Sequence, residues 1–333
     1  MTASEHELEA ARVGPVTPRG GVPLDLRVRA WLRVVGLLRA VGYYPTMADM
    51  PNVPLAKRKA SKPAWWLTLP LPTDIQIEDH TTLSRELPVP VRAYRPAGAA
   101  ERLPIVLFTH GGGFVNCGLE AMQFLCASVA STARVLVVSV DYPLAPETSY
   151  PEALQASYET LCRLSEHGGE LGGDPANVTV MGDSAGGNLA AALCLLARRN
   201  GDPLITRQIL IYPTLDATLS TLRMRAESAK RRNECDTFYS YYAAGHARTD
   251  ELISPLLAAD VSGLPSALVI TAEHDSLGDD GRLYAERLRE AGVPVRYTNY
   301  LGMPHGFLSM PRLCRAAPQA LAEIAHELRE QVR

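Results

Sequence analysis

No stretch of this 333-residue chain strings together the roughly 18 apolar residues that a membrane-spanning helix requires. Crossing a bilayer as a helix is therefore not expected. Cysteine is sparse and unpatterned. Cys117, Cys126, Cys162, Cys194, Cys235 and Cys314 are scattered with no C-x-x-C pair, so neither a zinc site nor a disulfide framework is expected. Most have apolar neighbours, where a free thiol acts as a small hydrophobe. An excess of one charge is missing too, since 33 Lys and Arg against 36 Asp and Glu leave a net charge of −3. That balance offers no basic field for nucleic acid or an anionic membrane. The one basic cluster, Lys57-Arg58-Lys59, reads as a solvated face. The segment from Met1 to Ala10 is acidic and lacks the basic-then-apolar order of a secretory signal. A reduced, cytoplasmic protein is expected, without cofactor, metal, internal repeat or low-complexity tract.

What is present is length enough for a large core, with 47% hydrophobic and 21% charged residues, the balance of an ordinary globular protein. Residues 1 to about 23 read as a tail. Over 24–41 the positions Leu24, Val28, Trp31, Leu32, Val35 and Leu38 fall at helical spacing with arginines between them. This predicts an amphipathic helix packed on the body of the protein. The proline-rich stretch 43–72, carrying Trp65 and Trp66, is expected to hold only short irregular elements. Residues 74–79 and 89–95 alternate as half-buried strands do. Residues 105–109, 135–140 and 178–181 are runs with little polar interruption, and further strands are expected at 208–212, 267–271 and 295–300. Helices are predicted over 119–132, 151–167, 189–199, 280–291 and 317–332. Continuous apolar strands separated by helices indicate a mostly parallel α/β sheet covered on both faces. Residues 214–255, rich in Arg, Ser and Tyr and including Phe238, Tyr239, Tyr241 and Tyr242, break that rhythm. They read as an insertion over one end of the sheet.

The predicted strand at 178–181 runs into Gly182-Asp183-Ser184-Ala185-Gly186, and the predicted helix follows at once. A G-x-S-x-G between strand and helix is the setting of a nucleophile elbow, with a Ser on a sharp turn and glycines leaving room for its neighbours. In an open parallel sheet, functional groups gather beyond the C-terminal ends of the strands. Three other ends carry suggestive residues. His110-Gly111-Gly112-Gly113-Phe114 can present backbone N–H groups to an oxyanion, although a flexible connection reads the same way. The prolines of the segment from Asp141 and Tyr142 to Glu147 suggest a rigid loop framing the site. Glu273-His274-Asp275 is followed 30 residues after Asp275 by His305. A Ser needs a base, and a His needs a carboxylate to fix its tautomer. His305 is the histidine that follows the last strand. For the acid, Asp275 is favoured over Glu273, over Asp279 and Asp280, which look like first-turn residues of a helix, and over Asp216. Asp216 is the serious rival, because it also follows a strand.

With these residues placed, the chain resembles the bacterial hormone-sensitive-lipase-like (family IV) esterases of the α/β-hydrolase superfamily. The resemblance rests on the His-Gly-Gly-Gly-Phe at 110–114, the Asp-Tyr-Pro-Leu-Ala-Pro-Glu at 141–147 and the Gly-Asp-Ser-Ala-Gly-Gly-Asn at 182–188. Ser-Pro-Leu at 254–256, the segment around Asp275 and His-Gly-Phe at 305–307 complete it. It implies an α/β-hydrolase fold and carboxylic-ester hydrolysis, with Ser184 as nucleophile, His305 as base and Asp275 as acid. It also implies an oxyanion hole from the N–H groups of Gly112, Gly113 and Ala185. His110, Gly111, Phe114, Tyr142, Asp183 and Gly186 would frame the site, under a cap built from residues 1–70 and 214–255, on a catalytic domain spanning 71–333. Two departures stand out. The Pro-Leu-Arg-Asp-Glu usual after the acid is here Ser276-Leu277-Gly278-Asp279-Asp280, and an arginine common after the Tyr of the 142 loop is here Pro143. The expected partner is a small-molecule ester of short to medium acyl chain, with a homodimer as the protein assembly left open. An amide hydrolase using the same triad, or a non-catalytic receptor on the same scaffold, are the alternatives.

Overall fold

The computed structural model describes residues 21–40, 45–83, 88–99, 102–202 and 205–330. The tail expected at 1–23 lies almost wholly outside them. Eight strands form one sheet: β1 (Ile75–Leu83), β2 (Pro88–Pro96), β3 (Leu103–Thr109), β4 (Leu136–Val140), β5 (Gly173–Asp183), β6 (Arg207–Ile211), β7 (Ser266–His274) and β8 (Val295–Pro304). Their order is β1-β2-β4-β3-β5-β6-β7-β8. β1 and β2 run antiparallel to each other, β2 runs antiparallel to β4, and the remaining pairings are parallel.

Nine helices accompany the strands among the described residues: α1 (Leu26–Ala40), α2 (Leu55–Lys59), α3 (Gln123–Ala133), α4 (Glu152–His167), α5 (Ala185–Asn200), α6 (Leu222–Ala226), α7 (Ala229–Ala243), α8 (Gly278–Glu290) and α9 (Ala317–Arg329). The period of two along each strand divides the core. Ile105, Leu107, Val180, Leu210 and Val269 face one layer, with residues of α4, α5, α7 and α8. Val106, Phe108, Met181, Ile209 and Ile270 face the other, with residues of α1, α3 and α9. Each such side chain, fully buried, contributes about 1.5–3 kcal/mol. Both faces are covered, so the central strands have no solvent-facing side and read as largely apolar runs. Among the described residues no helix is long and apolar enough to cross a membrane.

Three expectations need correction. The helix predicted from residue 189 begins at Ala185, four residues earlier, through Gly186 and Gly187. Glycine is a poor helix former, but these positions need it for space, as the site geometry shows. The insertion, whose sequence fits neither strand nor crossover helix well, holds two helices. It contains α6 and the 15-residue α7, capped by the Ser228 hydroxyl accepting from the Arg231 N–H. Its buried residues, Cys235, Phe238, Tyr239, Tyr242 and Ala243, do fall at helical spacing, a stripe confined to the second half of α7. The basic cluster is not a solvated face either. Arg58 is 1% exposed. It donates to the carbonyls of Val53 (3.0 Å), Val115 (2.5 Å) and Ala145 (2.8 Å), and it pairs with the Glu147 carboxylate. Lys59 pairs with Asp141 at 2.8 Å. The expectation of short elements over 43–72 fits α2 and a 3₁₀ turn at Met47–Asn52.

Candidate active site

Ser184 stands at the tip of the turn from β5 to α5 with φ 54° and ψ −118°, outside the regions a non-glycine residue ordinarily occupies. Strain of this kind persists only where the surroundings over-determine it. Here the Ser184 N–H donates to the Ile211 carbonyl at 2.9 Å, and the Ser184 carbonyl accepts from Asn188 and Thr214. The glycines on either side are required by contact. A Cβ on Gly182 would lie 2.2 Å from the Gly186 carbonyl oxygen, and one on Gly186 would lie 1.9 Å from that of Thr109.

Beyond β8, His305 comes within reach of the turn. Its Nε2 lies 2.9 Å from Ser184 Oγ, and its Nδ1 lies 2.7 Å from Asp275 Oδ2. With the proton on Nδ1, the imidazole donates to the carboxylate and accepts from the hydroxyl. The Asp275 side chain is fully shielded from solvent, while that of His305 keeps 29% of its exposure. Burial acts to raise the Asp275 carboxyl. The neighbouring His305 and its hydrogen bond, the Leu277 N–H and the charge of Arg231 outweigh burial and hold the group below the usual carboxylate value. The rival acid is engaged elsewhere. Asp216 accepts from the N–H and hydroxyl groups of both Thr218 and Ser220, closing its own loop. Asp279 and Asp280 lie in the first turn of α8, as expected, but they do not cap it. Asp280 Oδ2 accepts the Leu215 and Asp216 N–H groups at 2.9 and 3.1 Å, and Asp279 accepts that of Arg223.

The glycine-rich loop lies alongside. Gly112 and Gly113 take φ values of 125° and 61°. The Gly111 N–H is held by Asp183 Oδ1 at 2.7 Å, and burial pushes that carboxyl up to about 6 although the N–H partly offsets it. His110 is fully buried and stacks on Tyr142 with centroids 4.2 Å apart, while the Tyr142 hydroxyl donates to the His110 carbonyl at 2.6 Å. Burial lowers the His110 imidazole to about 4, so it stays neutral. Phe114 stacks on Tyr242 of α7 at 3.8 Å, and a Cβ on Gly113 would lie 3.3 Å from that of Phe238. Met50, Val115 and Ala145 form a small buried cluster against Tyr241. The segment before β1 and the insertion therefore meet over this loop.

Four further residues at the site were not read as site residues from the sequence. Tyr212 lies edge-on to the His305 ring at 4.9 Å. Arg58 holds the loop at Val115. Arg223 Nη1 donates to the Glu273 and Asp275 carbonyls at 2.9 and 3.1 Å, and Arg231 Nε donates to Ser276 Oγ at 3.1 Å. No motif marks the arginines, because their partners are mostly backbone carbonyls distant in sequence. Tyr212 could have been found as the residue closing a strand next to the elbow.

Comparison with known proteins places this geometry in context. A family profile described as alpha/beta hydrolase fold matches residues 106–309. The chain is 41% identical to carboxylesterase NlhH of Mycobacterium tuberculosis over 256 residues, which is 74% of this chain and 80% of that protein. It is 35% identical to an ethyl acetate hydrolase of Pseudomonas putida, across 73% of this chain and 79% of the other. Among solved structures, a hyperthermophilic esterase from the archaeon Pyrobaculum calidifontis superposes with a TM-score of 0.78 at 32% identity, covering 93% of this chain and 99% of that one.

Proposed function

Because the chain belongs to the hormone-sensitive-lipase-like carboxylesterases of the α/β-hydrolase superfamily and is a carboxylic ester hydrolase, we propose that it works through Ser184, His305 and Asp275. The observation that carries this reading is the position of His305, bonded at once to Ser184 Oγ and Asp275 Oδ2. Ser184 Oγ attacks the acyl carbon while His305 Nε2 takes its proton, and Asp275 supports the imidazolium. The N–H groups of Gly112, Gly113 and Ala185 receive the charge that develops on the carbonyl oxygen. The Ala185 N–H opens α5, where the positive end of the helix dipole adds to it. Collapse of the tetrahedral species returns the proton from His305 to the leaving alcohol. Water, activated by the same imidazole, then releases the acid from Ser184.

The substrate class follows from what lies over the loop. Phe114, Phe238 and Tyr242 form an apolar wall beside Gly113, and Phe238 and Tyr242 come from the insertion. We read 214–255, with the segment before β1, as a cap that makes the acyl pocket apolar but finite. Short- to medium-chain esters fit that description better than long-chain triglycerides. Turnover on an acyl-chain series of chromogenic esters tests it, with Ser184→Ala as the control. A wild-type enzyme preferring emulsified long-chain triglyceride to a short-chain ester would overturn this picture of the pocket.

A further inference from the structure

Asp275 sits in a loop between β7 and α8 whose backbone doubles back, with the Gly278 N–H bonded to the Asp275 carbonyl at 3.2 Å. The first residue of α8 is Gly278, a buried position in ordinary helical backbone, where conformation alone would admit any side chain. Space does not admit one. A Cβ built there would lie 2.6 Å from Nη1 of Arg223 and 3.2 Å from its Cζ. The gap left by the glycine is filled by a guanidinium arriving from α6, a helix of the insertion. Arg223 Nη1 donates to the Glu273 and Asp275 carbonyls, and the Arg223 N–H is in turn held by Asp279 Oδ2 at 3.0 Å. One guanidinium therefore ties the carbonyl of Glu273, at the end of β7, to that of Asp275 in the loop. Both bonds leave the single nitrogen Nη1, whose two N–H groups are fixed in the guanidinium plane. None of these bonds reaches Ser184, His305 or the Asp275 carboxylate.

We propose that Arg223 is a positioning residue for Asp275: lodged where Gly278 has no side chain, its guanidinium fixes the Glu273 and Asp275 carbonyls and so sets the direction from which the carboxylate meets His305. The inference rests on the reading of Asp275 as the acid of the triad. It also makes the insertion part of the catalytic framework, because the group that aims the acid belongs to the segment that roofs the pocket.

The experiment compares kcat, KM, the pH–rate profile and thermal stability for Arg223→Gln, Arg223→Lys, Gly278→Ala and Asp275→Asn on one short-chain ester. Arg223→Gln should lower kcat roughly 10- to 100-fold, the scale on which small misplacements act, with KM nearly unchanged. The acid limb of its profile should move to lower pH, because a misdirected carboxylate supports the imidazolium less. Arg223→Lys keeps the charge but not the two in-plane N–H groups of Nη1, and should recover only part of the loss. Gly278→Ala introduces a better helix former yet displaces the guanidinium, so it should lose kcat without a matching loss of folding. A residue that only stabilised the fold would lower thermal stability and leave kcat and the acid limb of the folded enzyme alone. If Asp275→Asn keeps its activity, the triad reading falls and this inference with it. If Asp275→Asn is inactive while Arg223→Gln and Gly278→Ala keep wild-type kcat and acid limb, the positioning role alone is overturned.

Discussion

Replacing Ser184 or His305 with alanine removes one end of the 2.9 Å Oγ···Nε2 contact, and turnover should fall nearly to background in either variant. Since the members of a triad act as a unit, the double variant should be little worse than either single one. Circular dichroism should show all three folded, and substantial turnover by Ser184→Ala would end the assignment. Asp275→Asn should cost about 10⁴ in kcat. Asp216→Asn should cost far less, because its carboxylate serves its own loop, and the reverse ranking would move the acid to Asp216. Turnover should rise from acid to neutral pH, because only the neutral ring accepts the Ser184 proton. Asp183, pushed up to about 6 by burial, titrates in the same window. Asp183→Asn removes that second titration, so an acid limb that persists in this variant belongs to His305, and one that vanishes belongs to the carboxylate.

At the level of elements, α8 meets the insertion through the buried Asp280, whose carboxyl burial pushes up to about 8 even though two backbone N–H groups oppose the shift. Unfolded, the same group titrates near 3.8. Between those values the folded chain holds a proton that the unfolded chain has released, so this residue's contribution to stability falls as pH rises from about 4 to about 8. Asn keeps an acceptor for the two N–H groups and cannot ionise. The melting temperature of Asp280→Asn relative to wild type should therefore climb across that interval, and a constant difference would contradict the burial argument. Elements whose environment was uniform were legible in advance. The central strands, α4, α8 and α9 declared themselves by apolar runs or helical spacing, and the order of Ser184, Asp275 and His305 followed from motif and strand ends. What escaped was held by tertiary contact. The start of α5 at Ala185 depends on the close approach of Gly186 to Thr109, a demand that helix propensity does not register. The helix α7 buries Phe238, Tyr239 and Tyr242 against the glycine-rich loop, and this stripe at helical spacing covers only its second half, after a polar run from Lys230 to Glu234. Arg58 looked solvated because its neighbours in sequence are basic, whereas its neighbours in space are carbonyls.

Across the whole molecule, two segments far apart in sequence grip two different parts of the site. Arg58, from the stretch before β1, holds Val115 and Ala145 beside the glycine-rich loop, and Arg223 holds the loop of Asp275. Arg58→Met would leave the buried carbonyls of Val115 and Ala145 without their donor, while Glu147, 41% exposed, can turn to water; it should cost about 1–3 kcal/mol, the scale for an unsatisfied buried polar group. Urea titration checks the figure, and a loss under about 1 kcal/mol would show that the loop supports itself. The paired grips also bear on how such a gene can be shuffled. A crossover between codons 59 and 115 would deliver the loop without its clasp, and one between 223 and 278 would deliver an arginine to a helix with no vacancy for it. In a library of chimeras with related esterases, survivors should inherit Arg58 together with Glu147, and Arg223 together with Gly278, as linked traits. The stretch before β1 and the insertion would then be exchangeable only along with the loops they grip.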